Sequence, residues 1–523
     1  MSSKISILDT TLRDGEQGEG ISFTLEDKLS ISTLLDNLGI HYIEGGWPDS
    51  NPKAKAYFDT IRNTPLKHSK VTAFGSTRRA KNTAENDTNL QALVDTKPDT
   101  CVIFGKSWDF HVTDALKIDL ETNLEMIQDS VRFLKSHNFE VIYDAEHFFD
   151  GYKKNPDYAI KTLKAAADGG VDILCLCDTN GGTLPSEVNT IVSTVKNTFS
   201  CEIGIHTHND SDLGVANAIA AVESGATHIQ GTLNGYGERC GNANLSAIIP
   251  ILMLKMGYSC ISKDQLTQLT ASCYQMDEIA NMTPHTNQAF VGKSAFAHKG
   301  GIHVSAILKN SDTYEHINPE AVGNNQRVLI SELSGASNLV YKAKELGLNL
   351  DTKNKDLPLL LDQIKSLESE GYQFEGAGAS FELLMRKTLG LYTPHIKLDQ
   401  FKVLNEQKGE DQTAVKASIK ATLNNKTMEM DANGTGPVGA LDHALRQLLE
   451  SIFPVIKTVK LIDYKVRVLD SKDSTDAKVR VLITSYDGNQ TWNTIGVSEN
   501  IIKASWLALA DSFEYKLLLE ERS

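Results

Sequence analysis

The sequence predicts a TIM (β/α)8 barrel, followed by helical linker subdomains and a C-terminal α+β domain of two ββα units. Three observations carry this. Apolar or β-branched runs recur about every thirty residues through the first half of the chain, helix-opening signals lie between them, and period-2 alternation returns only beyond about residue 400.

The eight runs are Ile5–Leu8, Tyr42–Glu44, Val71–Phe74, Cys101–Phe104, Val141–Tyr143, Ile173–Cys177, Ile203–Thr207 and Ile229–Leu233. Between the first two, Thr24 with Asp27 is an N-cap pattern that opens a helix over Leu25–Leu38, and Gly39 stops it. Asp212 opens a comparable run that ends at Gly225. Eight βα repeats in about 240 residues match a barrel in count and size, whereas an open doubly wound sheet usually has fewer strands. Residues 1–270 are therefore assigned to the barrel. From 271 to 395, helical stretches such as Leu357–Ser369 are joined by polar connections such as His298-Lys299-Gly300-Gly301, and a helix over Lys263–Met282 leads into them. Over 396–523, Val415, Ala417, Ile419, Ala421 and Leu423 alternate, as do Val466 with Val468 and Val479 with Val481 and Ile483. Helices over Pro437–Ile452 and Ser498–Leu519 follow each set, giving two successive ββα units with surfaces suited to an oligomer contact.

With 41% hydrophobic and 23% charged residues the composition is that of a globular protein, not a disordered or fibrous one. A formal charge of −15 repels phosphate backbones and anionic lipid alike, so neither nucleic acid nor a membrane is expected as partner. No apolar run reaches the roughly 18 residues of a membrane span, and Met1-Ser2-Ser3-Lys4 leads into the first strand without a signal-peptide segment, so a cytoplasmic location is expected. The seven cysteines read as reduced thiols, and Cys175 and Cys177 lack the second pair that a structural zinc site needs.

In a barrel, reactive groups belong at the C-terminal ends of strands, and polar residues collect there. Strand one runs into Arg13-Asp14-Gly15-Glu16-Gln17, strand two ends at Glu44, strand five at Asp144 and Glu146, and strand six at Asp178-Thr179-Asn180. His206 and His208, at i and i+2 of strand seven, project together into the barrel mouth. Two imidazoles plus a carboxylate leave coordination positions open for substrate, and Asp14 is the candidate carboxylate. Arg13 offers a fixed cation where an enolate or alkoxide develops charge, unless Glu44 or Glu146 neutralises it. Asn242 either ligates the metal, directly or through water, or simply shapes its Gly-flanked turn; Thr179 either donates to a substrate carboxylate or satisfies a local turn.

Together Leu8-Asp9-Thr10-Thr11-Leu12-Arg13-Asp14-Gly15-Glu16-Gln17, His206-Thr207-His208-Asn209-Asp210 and Gly235-Tyr236-Gly237-Glu238-Arg239-Cys240-Gly241-Asn242 resemble the DRE-TIM metallolyases. Within that superfamily the chain is similar over nearly its whole length to the Claisen-condensing acyltransferases, the isopropylmalate, homocitrate and citramalate synthases. The resemblance implies that Asp14, His206 and His208 bind a divalent metal (Zn²⁺, Mn²⁺ or Mg²⁺) with Asn242 nearby, and that Arg13 polarises the reacting carbonyl. It places Thr179, Asp144 and Glu146 in the substrate pocket, counts Glu146 with Arg13 as catalytic, and makes His303 and Tyr314 catalytic, contributed to the active site of a partner subunit in a homodimer. Acetyl-CoA is the implied co-substrate: a base removes a methyl proton, the enolate attacks C2 of a 2-oxo acid, and thioester hydrolysis releases CoA. An imidazole such as His303 suits the proton transfer.

Glu44-Gly45-Gly46-Trp47-Pro48-Asp49 and Tyr143-Asp144-Ala145-Glu146-His147-Phe148 look like the citramalate-forming branch, with pyruvate as acceptor and a place in isoleucine biosynthesis. Bulky Trp47 and Phe148 would shrink the pocket to fit pyruvate's methyl, although both could equally be core residues. The alternative acceptor is 2-oxoisovalerate, as in isopropylmalate synthases. Gly434 and Gly436 lie in a turn entering the helix at Pro437, where a helix N-terminus could hold an amino-acid carboxylate; the alternative is a tight turn that needs glycine. By resemblance this is the regulatory domain, with isoleucine as inhibitor. Three other readings compete: an acyl-CoA or aldol lyase, whose members generally lack such a C-terminal domain; a biotin-linked carboxyltransferase, which would need a Met-Lys-Met partner segment absent here; and a metabolite sensor built on a decayed barrel.

Overall fold

The computed structural model describes residues 4–331, 334–351, 353–408, 412–423, 425–469 and 477–522; the leading Met1-Ser2-Ser3 lies outside them. Eight parallel strands close a barrel in sequence order: β1 (Ser6–Asp9), β2 (Tyr42–Gly46), β3 (Lys70–Ser76), β4 (Thr100–Lys106), β5 (Glu140–Glu146), β6 (Ile173–Asp178), β7 (Glu202–Thr207) and β8 (His228–Gly231). β8 pairs with β1 from Ser6↔His228 to Asp9↔Gly231.

Strand alternation sorts the side chains into two cores. Val141, Tyr143 and Ala145 of β5 and Leu174 and Leu176 of β6 pack outward against the helices, while Ile142, Ile173 and Cys175 fill the lumen with Leu8, Phe74 and Val102. The same alternation sends Asp144 and Glu146 inward, one and two steps above Ile142. The helices begin where their caps dictate. Thr24 and Asp27 form a reciprocal capping box on Leu25–Leu38, and Gly39 ends that helix at φ 84°, a left-handed conformation that suits glycine.

The chain divides into two compact units: one runs to Phe296 and includes Glu315–Gln326, the other holds Ala297–Tyr314 and the residues from Arg327 onward. The stretch expected as one helix over Lys263–Met282 is two, Lys263–Leu266 and Leu269–Ile279. In the second unit a short parallel pair, β9 (Ala297–His298) and β10 (Arg327–Val328), precedes helices Ala336–Glu345, Leu357–Ser369 and Gly378–Thr388. Two antiparallel sheets follow, β11 (Ile396–Lys408), β12 (Gln412–Leu423) and β13 (Lys426–Gly434), then β14 (Lys460–Val468), β15 (Val479–Tyr486) and β16 (Thr491–Ser498). Helices Pro437–Glu450 and Ile501–Glu521 cover them, and Ile419, Leu445, Leu448, Val481, Ile483 and Phe513 belong to one shared core. Each unit thus carries a third strand beyond the expected pair. In β13 Met428, Met430 and Ala432 alternate toward that core, while the residues between them are polar and exposed.

Candidate active site

The strand ends surround a cavity of about 260 Å³ at the mouth of the barrel, with Arg13, Asp14, Asp144, Glu146, Thr179, His206 and His208 all in its wall. Asp14 Oδ2 lies 3.2 Å from His206 Nε2 and 3.9 Å from His208 Nε2. The two ring nitrogens are 3.4 Å apart, and all three side chains are buried. Burial alone would raise the Asp14 carboxyl, but Arg13 and the two imidazoles hold it well below the usual carboxylate range. Burial and neighbouring His206 push His208 down to about 4, so its ring stays neutral, as a ligand must be. Burial opposes protonation of His206 too, but its hydrogen bond to Asp14 and the charges of Asp14 and Asp144 raise it overall.

Asn242 is bridged to His208 by an antiparallel β-pair; its Nδ2 donates to Tyr236 O at 3.2 Å, and its buried Oδ1 has no partner among the described residues. A carboxylate, two converging ring nitrogens and an orphaned amide oxygen form a donor set that suits a divalent cation. A second cluster, Asp144 with Cys175 and Cys177, is less suitable. Gln230 engages Asp144, and burial pushes the Cys177 thiol up to about 11, which keeps it protonated.

Arg13 is fixed on three sides: Nε donates to Glu44 Oε2 at 2.6 Å, Nη1 lies 3.5 Å from Asp14 Oδ1, and the guanidinium stacks 3.9 Å over the Phe74 ring. Arg13 thus makes the salt bridge to Glu44 and also lies in the cavity wall. Burial raises Glu44 to about 7 against the pull of Arg13. Beneath the loop, buried Lys28 donates to Leu12 O at 2.6 Å and pairs with Glu16 at 2.7 Å, so the Arg13-Asp14 turn is anchored from the first helix.

On the other side, Thr179 Oγ1 accepts from His147 N at 2.9 Å, which leaves its O–H to donate. Glu146 accepts from Lys106. Trp47, Phe74 and Phe104 make one aromatic wall, with Phe74 and Phe104 stacked at 5.4 Å and Trp47 edge-on to both. Trp47 is pinned by its Nε1 bond to Asn89 Oδ1 at 2.8 Å. Phe148, its expected companion, is fully buried in the core between barrel and helices and is not in the cavity wall.

His303 and Tyr314 lie in the second unit, stacked on each other at 4.2 Å and exposed, and neither is among the residues that line the barrel cavity. Gly434 sits where β13 passes close to the next helix: an added Cβ would come within 2.3 Å of Ala440 N, while Gly436 has open space around it. Sequence reasoning did not single out Gln230, Glu238, Arg239 or the Phe74–Phe104 stack, all of which contribute to this end of the barrel. A glutamine in the centre of a short apolar strand was the signal for the first of these.

An eight-stranded barrel with an Asp-His-His cluster at its mouth agrees with what family models find. The HMGL-like family matches residues 4–282, the homocitrate synthase post-HMGL domain-like family 290–371, and the LeuA allosteric (dimerisation) domain 375–517. The barrel is thus that of an HMGL-like protein. Curated relatives narrow this further. The (R)-citramalate synthase of Geobacter sulfurreducens is 54% identical over 98% of both chains, and that of Aquifex aeolicus is 51% identical over 100% of this chain and 99% of its own. A probable 2-isopropylmalate synthase of Methanopyrus kandleri is more distant, 30% identical over 97% of both chains. The chain belongs to the (R)-citramalate synthase family.

Proposed function

We propose that the chain is an acyltransferase that condenses acetyl-CoA with pyruvate to give (R)-citramalate and CoA, an entry to isoleucine biosynthesis in the cytoplasm. The observation that carries the reading is the juxtaposition of Asp14, His206 and His208 with a fixed Arg13, in a small cavity walled by Trp47, Phe74 and Phe104. Asp14, His206 and His208 would hold a divalent cation, with Asn242 Oδ1 as a further donor. Such a cation supplies Lewis-acid polarisation of the 2-oxo group.

The chain's own residues do the rest. The Arg13 guanidinium, always charged, faces the oxygen that becomes negative as the C–C bond forms. Thr179 donates its hydroxyl proton to the substrate carboxylate, and Asp144 and Glu146 complete the pocket floor and wall. His303 and Tyr314, stacked and exposed, are presented by one subunit to the site of its partner in a homodimer. There an imidazole takes the methyl proton of the acetyl group, the enolate carbon bonds to C2 as the C2–O double bond opens, the alkoxide so formed takes up a proton, and water cleaves the thioester to release CoA. Isoleucine, as end product, would inhibit through the C-terminal domain, at the turn of Gly434 and Gly436.

The aromatic wall favours pyruvate over acceptors with larger side chains, although one or two methylenes are worth only about 1–3 kcal/mol. Acetyl-CoA-dependent thiol release measured in parallel with pyruvate, 2-oxoisovalerate and 2-oxoglutarate, with and without chelator, tests the reading. Chelator-sensitive release with pyruvate preferred supports it. Preference for 2-oxoisovalerate would make this an isopropylmalate synthase, and no release with any acid would return a lyase to consideration.

A further inference from the structure

We infer that Gln230, oriented by Asp144, is a positioning residue that fixes the tautomer of His206 and so directs its Nε2 lone pair to the cation site. The inference rests on the reading of Asp14, His206 and His208 as metal ligands. The β7–β8 register places His206 directly beside Gln230, and the two side chains meet at 2.9 Å between Nδ1 and Oε1. On its other side the Gln230 amide donates from Nε2 to Asp144 Oδ1 at 2.8 Å. Gln230 is fully buried, with Asp144 and His206 only 4% and 5% exposed, so solvent does not offer substitutes for these bonds.

With the Asp144 carboxylate as acceptor, as the structure has it, the hydrogen bonds define one arrangement. An Asp oxygen accepts here and an amide NH2 only donates, so Nε2 of Gln230 must face Asp144 and Oε1 must face His206. An amide oxygen only accepts, so His206 Nδ1 must carry the hydrogen. With a hydrogen fixed on Nδ1, Nε2 is the one ring nitrogen left to ligate, and it is the atom that faces Asp14 Oδ2 at 3.2 Å and His208 Nε2 at 3.4 Å. Reversing the amide would set NH2 against Nδ1 and drive the hydrogen to Nε2, where it blocks ligation. His208 has no such support among the described residues, where its buried Nδ1 has no partner. One histidine is therefore preset and the other is not. Outer partners of this kind change metal affinity by about 10- to 100-fold.

The test is Zn²⁺ affinity of the metal-stripped full-length protein, by competition with a chromophoric chelator, with melting temperature as the check on folding. Gln230→Met, of similar length but without an acceptor, is expected to bind about 10- to 100-fold more weakly at an unchanged melt. Asp144→Asn, whose amide lets Gln230 reverse, should also weaken binding and should add little on top of Gln230→Met. The double variant Asp144→Asn/Gln230→Glu exchanges donor and acceptor along the relay and should restore affinity, which a space-filling role for Gln230 would not produce. Wild-type affinity in Gln230→Met would overturn the inference, as would a folded double variant that stays as weak as Asp144→Asn. Should Gln230→Met fail to fold, the Asp144→Asn and double-variant comparison decides. Equal affinity in wild type and His206→Ala would instead overturn the metal-site reading on which the inference stands.

Discussion

His228 lies at the end of the barrel opposite the active site, and it should make the barrel acid-sensitive in a way that can be isolated. Its ring is fully buried, shares a 2.9 Å hydrogen bond at Nδ1 with Ser6 Oγ, meets Tyr42 edge-on at 5.7 Å, and has no partner for Nε2 among the described residues. Burial lowers its pKa from 6.5 to about 3, because a protonated ring would carry an unpaired N–H⁺ inside the barrel. The unfolded chain therefore binds a proton near pH 6.5 that the folded chain refuses until about pH 3. Stability is unaffected above pH 6.5 and falls as the pH drops through that window. A difference of 1.5 units between 6.5 and pH 5, at 1.36 kcal/mol per unit, makes the loss about 2 kcal/mol at pH 5. His228→Gln removes the titrating group. Urea unfolding followed by tryptophan fluorescence, for both proteins at pH 7.5 and pH 5, gives a difference of differences in which the packing cost of the substitution and the signal of the unaltered C-terminal domain cancel. The variant should lose about 2 kcal/mol less than wild type between the two conditions. An identical loss in both would refute the assignment of this acid sensitivity to His228.

His206→Ala is expected to abolish stoichiometric metal binding and lower turnover with pyruvate by at least about a hundredfold, with the circular dichroism spectrum unchanged; retained activity would remove His206 from the metal site. Trp47→Leu opens the aromatic wall and frees Asn89 from its bond to the indole, so the kcat/KM ratio of 2-oxoisovalerate to pyruvate should rise about tenfold or more. An unchanged ratio would place the acceptor side chain elsewhere. Gly434→Ala forces a Cβ to within 2.3 Å of Ala440 N and should destabilise the C-terminal domain by about 1–3 kcal/mol, read as an earlier thermal transition. An unaltered melt would show that the strand and helix can separate at no cost.

The recurrence of short apolar runs about every thirty residues placed all eight barrel strands, because such strands are buried on both faces, against the helices and in the lumen. Strand periodicity made His206 and His208 neighbours, since i and i+2 of one strand share a face. Asp14 joined them because strand ends converge in any barrel, a property of the fold rather than of the local sequence. What escaped was cross-strand: Gln230 matters because β8 sets it in register with His206, and no window of a single strand contains that pairing. The same holds for Phe74 and Phe104, two strands' worth of side chains that stack only once β3 lies beside β4. The third strand of each C-terminal unit was hidden for a different reason. β13 sets Met428, Met430 and Ala432 among exposed polar residues, β11 breaks its alternation at a register shift between Leu398 and Gln400, and in β16 the buried alternating positions begin with Trp492 and Thr494, one of them polar.

The closure of the barrel also carries a consequence for its synthesis. The β1–β8 seam joins Ser6 to His228, residues separated by 222 positions, so β1 cannot find one of its two neighbours until most of the barrel has been made. At about 5–20 residues per second, some 220 residues take roughly 10 to 45 s to translate, and through that interval one edge of β1 and one edge of the growing sheet stay unpaired. Such a seam, closed by distant contacts, is slow to form and open to the wrong partner in the meantime. Yield in a host short of chaperone capacity should therefore be governed by the seam rather than by the stability of the finished barrel, and substitutions that weaken Ser6–Asp9 should cost soluble protein before they cost melting temperature.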